Sequence, residues 1–173
     1  MRTGTHVLLQ PRGWLLCGLL LCVTPCLAEP LPSQLQGSWH ITHLLPTTNQ
    51  GCWTADRAQF LVGTTLTYAP KSMHWQGGDV PLTGIVTRFV EDSDIKAEFS
   101  GDPHPADFTQ LQIKPSRVVE VNLQHEDADI TGGSTEVPGD SILLAAPNRI
   151  VGSACGVYFE ATRIPAPHRP AHR

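Results

Sequence analysis

Leu35-Gln36-Gly37-Ser38-Trp39-His40-Ile41-Thr42-His43-Leu44-Leu45 reads as a β-strand, and the rest of the chain is arranged around it. Side chains alternate across a strand, so Trp39, Ile41, His43 and Leu45 share one face while Ser38, His40 and Thr42 share the other. Gly37 stands just before the tryptophan, where a bend or a close backbone approach is needed.

Runs of the same kind recur downstream. Residues 64–69, 73–76, 83–90, 95–99, 108–113, 117–125, 141–145, 149–151 and 156–163 are short, alternating or β-branched, and separated by Gly, Pro, Asn and Asp. In 95–99, Ile95, Ala97 and Phe99 alternate with Lys96 and Glu98. Residues 108–113 and 117–125 flank Lys114-Pro115-Ser116 and read as a hairpin. Residues 30–34 read as an extended lead-in. Only residues 54–61 suggest helix, one or two turns stopped by Gly63. The reading is an all-β domain, a single antiparallel up-and-down barrel of about eight strands with one short helical segment; closure hides the strand edges.

Residues 1–28 carry a different pattern. Arg2 and Arg12 precede an apolar run at 14–23, and Cys26-Leu27-Ala28 supplies the small residues of a cleavage site. The run is too short to cross a membrane as a helix. The expectation is a cleaved signal peptide (1–28), a domain at 29–165, a loose Pro-rich tail at 166–173, and no membrane insertion after cleavage. The protein would then be secreted or periplasmic. Beyond residue 28 stand ten Lys and Arg against all 16 Asp and Glu, a formal charge of −6. No basic cluster suited to nucleic acid is present. Of five cysteines, only Cys52 and Cys155 lie beyond residue 28, and in an oxidising compartment they read as one disulfide.

Gly37-Ser38-Trp39 on the first strand, Arg163 straight after the last, and the meander of short strands together resemble the lipocalin, or broader calycin, group. The resemblance implies a lipocalin-like barrel with a cup for a small apolar or amphipathic ligand, closed at one end where the arginine packs over the tryptophan. The Thr-Asp motif with a following Tyr and the C-terminal helix usual in that group have no counterpart here. Barrels of this kind also serve as protease inhibitors.

Other chemistry has thin support. His40 and His43 fall on opposite faces, and His104 has no His or Cys neighbour to share a zinc ion. Asp127-Ala-Asp129-Ile-Thr131-Gly132 starts like a calcium loop, but Pro138 stands where its bidentate acid belongs. No nucleophile or metalloprotease motif is present. The expectation is a binding protein without cofactor or metal, not an enzyme. Its partner is a small apolar ligand, held by Trp39, Tyr68, Trp75, Phe99 and Val121 with His43 as polar handle. A protein partner engaged through residues 30–34 is the alternative. Gly37 and Arg163 are assigned structural roles.

Overall fold

The computed structural model describes residues 29–46, 55–98, 106–125, 137–154 and 156–165. Eight strands form a closed antiparallel barrel, each paired with the next and the last with the first. They are β1 (Gly37–Leu44), β2 (Thr65–Ala69), β3 (Ser72–Trp75), β4 (Gly78–Glu91), β5 (Arg117–His125), β6 (Ser141–Ala146), β7 (Arg149–Ala154) and β8 (Val157–Arg163). Two short helices interrupt the meander, α1 (Ala55–Gln59) between β1 and β2 and α2 (Asp92–Glu98) between β4 and β5.

Alternation along the strands builds two separate cores. Val121, Ile142, Gly152 and Phe159 are successive cross-strand partners on the inner face of β5 to β8. Trp39, Leu66, Tyr68 and Met73 continue the same buried cluster on β1 to β3. Both ends of the barrel contribute to it. Leu31 and Leu35 enter from the lead-in, and Ala58 and Leu61 from α1 and its exit. The second cluster lies on the other face of β6 to β8. There Leu143, Ala145, Val151 and Tyr158 meet Ile95 of α2 and Phe108, Leu111 and Ile113. This is why β6 is buried on both faces.

Three local expectations are corrected. Residues 95–98 belong to α2, not a strand: the Asp94 carboxylate accepts the Glu91 N–H at 2.7 Å and closes the first turn. Only Ile95 of that helix is buried, so one anchor suffices, and Ala97 is exposed. Residues 108–113 are successive turns, not a hairpin strand. The Asp107 carboxylate accepts the Gln110 N–H at 2.7 Å, and Leu111 N–H bonds the Asp107 carbonyl at 2.9 Å. β5 pairs with β4 instead, through Leu82 to Glu91. The lead-in is not extended either: Leu35 N–H bonds the Pro32 carbonyl at 2.9 Å, and Leu31 and Leu35 are buried. The helical segment at 54–61 is present as α1. Gly63, with φ of +88°, follows it, and its N–H bonds the Ile41 carbonyl at 2.9 Å.

Candidate functional site

Trp39 is fully buried and its indole N–H donates to the Leu35 carbonyl at 2.7 Å. The Arg163 guanidinium carbon lies 4.2 Å from the ring centroid. The same guanidinium donates to the Gln36 carbonyl at 2.8 Å and to the Gln34 carbonyl. Gly37, with φ of +114°, lets the chain turn into β1 under it; a Cβ there would meet Arg163 Nη1 at 3.1 Å. This end of the barrel is therefore tied shut by one cation that stacks and hydrogen-bonds at once.

The residues expected to form a ligand wall are distributed differently. Trp39, Tyr68 and Val121 are packed interior. The Tyr68 hydroxyl donates to the Gly139 carbonyl at 3.0 Å, and burial, reinforced by the Asp140 charge, raises its pKa well above the ordinary value. His43 is exposed and does not share the inner face of Trp39 and Ile41. The β1–β8 register shifts between Ile41 and His43, and such a bulge moves the next side chain to the other face. Phe99, Cys52 and Cys155 lie outside the described residues. Trp75 borders a hollow of about 360 Å³, beside Arg57, Phe60 and Gln76.

The larger concavity is a side cleft of about 510 Å³. It arises from a mismatch of strand lengths. β3 has four residues and β4 has 14, so β4 pairs with β3 only through Gly78 to Pro81. Leu82 N–H makes a last bond to the Lys71 carbonyl at 2.9 Å, and a bulge follows between Leu82 and Gly84. Beyond it, β4 pairs with β5 on one side, and no described strand pairs on the other. The cleft lies along that free side, walled by Leu82 and Ile85 of β4, Leu31 of the lead-in, and the Pro70-Lys71 turn. Its lining is mainly apolar, with Glu29, Gln36, Lys71 and Thr83 as the polar side chains. Apart from Leu31, which lies in the 30–34 segment assigned to a protein partner, none of these was singled out in the sequence reading. The available signal was Pro81-Leu82-Thr83-Gly84, since proline and glycine inside a strand mark an edge or a bulge.

Among the described residues, no group of three or more His, Cys, Asp or Glu is placed to hold a metal ion. No protein-family model matches this chain, and no curated protein or solved structure is significantly similar to it.

Proposed function

We propose that this protein is an exported, lipocalin-like binding barrel that holds a small amphipathic molecule, and that the molecule sits in the side cleft along β4 instead of in an axial cup. The cleft itself carries the reading. A mainly apolar concavity of about 510 Å³ with a few polar groups at its rim has the size and make-up of a small-molecule site. The barrel axis is occupied by Leu35, Trp39, Leu61, Tyr68 and Phe159, all buried. The calycin likeness rests on the closed eight-strand meander and the Arg163–Trp39 stack. Residues 30–34 are held on the barrel by buried Leu31 and Leu35, so as placed they offer no free strand to a protein partner.

The test is calorimetric titration with decanol and decanoate. Thr83 is exposed on the cleft wall, so Thr83→Trp fills the cleft without touching the core. Binding of both probes to the native chain, weakened at least about tenfold (~1.4 kcal/mol) by Thr83→Trp at unchanged thermal stability, is the expected outcome. Equal binding by the two proteins would remove the cleft from the function.

A further inference from the structure

One end of the cleft holds a carboxylate of the protein itself. Glu29 Oε2 accepts the backbone N–H of Thr87 at 3.0 Å and the Thr87 hydroxyl at 2.9 Å. Thr87 lies on the part of β4 that no described strand covers, and its N–H points to that free side. A bare strand edge presents such donors to whatever lies alongside. Here they converge on one acceptor, and an ionised acceptor makes the stronger bond.

The position is continuous with the cleft. Residues two apart on a strand are about 7 Å apart, so the Thr87 donors stand one such step beyond Ile85 on the cleft wall. An alkyl chain lying on Leu31, Leu82 and Ile85 would bring its own head group to Thr87. The contact made by Glu29 is also built to release. Leu31 is anchored in the core at 4% exposure, whereas Glu29 and Pro30 are exposed and Glu29 is held to β4 by those two side-chain bonds. Letting go of Thr87 therefore disturbs no core packing.

Resting on the cleft reading, we propose that the Thr87 N–H and hydroxyl are the head-group position for an amphipathic monocarboxylate, and that Glu29 is a built-in competitor that fills this position when the cleft is empty. The ligand carboxylate replaces the Glu29 carboxylate on the same two donors. Glu29 then swings to solvent about the Pro30 junction. Affinity for acids is set by this exchange, and affinity for neutral amphiphiles is not.

The experiment titrates decanoate and decanol, at a pH where the acid is ionised, into the native chain and the Glu29→Ala, Thr87→Val and Lys71→Met variants. Glu29→Ala should tighten decanoate about fivefold or more and leave decanol within about twofold. Made in the Glu29→Ala chain, where no competitor uses the same donors, Thr87→Val keeps the β-branched shape and removes the hydroxyl; it should weaken decanoate about fivefold and decanol little. Three results overturn the proposal: Glu29→Ala leaves decanoate unchanged, it tightens both probes equally, or Lys71→Met and not Thr87→Val removes the preference for the acid. Decanol binding with no gain for decanoate in Glu29→Ala overturns this proposal and leaves the cleft reading standing. Absence of binding by either probe to any of the proteins defeats the cleft reading as well.

Discussion

Gly152 on β7 sits opposite Phe159 on β8, and the phenyl ring lies over the glycine where a side chain would otherwise stand. A Cβ there would intrude on the ring and lie 3.1 Å from Ile142 Cδ1. The ring is fully buried and cannot move aside, so Gly152→Ala should destabilise by about 1–3 kcal/mol in urea denaturation. Tyr68 supplies a pH-dependent test. Its phenol, raised well above its ordinary value of 10.0 by burial and then by the Asp140 charge, stays neutral in the fold after the unfolded chain's phenol has ionised. The stabilisation is complete below pH 10 and is lost as pH climbs toward the folded value. The slope is about 1.4 kcal/mol per pH unit. Tyr158 is shifted the same way, by burial and then by Glu98 and Glu120, and adds to the loss. Urea midpoints between pH 9 and 11 should fall less steeply for Tyr68→Phe than for the native chain.

Outside the meander, α2 depends on a single apolar anchor. α2 holds to the barrel through Ile95, which is 1% exposed in the outer cluster. Its first turn is tied by Asp92, which accepts the Phe108 N–H at 2.7 Å and the Lys96 ammonium at 2.6 Å. Arg88 bridges Glu98 at its end to buried Glu120 on β5. Arg149 fastens the neighbouring turns, donating to the Leu111 carbonyl at 2.9 Å and to Glu160 at 2.5 Å. Ile95→Ala leaves a hole over β6 and should cost about 2–4 kcal/mol by urea denaturation, with hydrogen exchange rising first in residues 92–98 and 106–113. The helix was hard to read in the sequence because Ile95 and Ala97 alternate with Lys96 and Glu98 as a strand would. A seven-residue helix shows too few turns for its own period to stand out. The turn at 107–111 did carry a cue: Asp107 with Gln110 three residues on, and Phe108 with Leu111 at helical spacing.

At the scale of the molecule, closure joins residues far apart in sequence. Gln36 and Arg163 are separated by 127 positions and share a hydrogen bond because β1 and β8 are neighbours. The expected Cys52–Cys155 disulfide would add a second long-range tie. Under non-reducing conditions an intact mass two hydrogens below the reduced value is expected. Closing a loop of roughly 100 residues, the bond should contribute about 4–5 kcal/mol, lost on reduction and measurable as a lower urea midpoint.

The alternation of apolar and polar residues determined the strands, because a period of two is written directly in the side chains. Residues 117–125 and the strand around Trp39 could be read from that pattern alone, and so could the all-β barrel they build. Tertiary structure decided what the pattern does not encode. A bulge after Ile41 turned His43 to solvent, since one inserted residue reverses every face beyond it. Filling of the axis depended on Leu31, Leu35, Ala58 and Leu61 folding in from outside the strands. The cleft exists only because β3 stops short beside a longer β4, a difference in length that acquires a shape when the sheet closes.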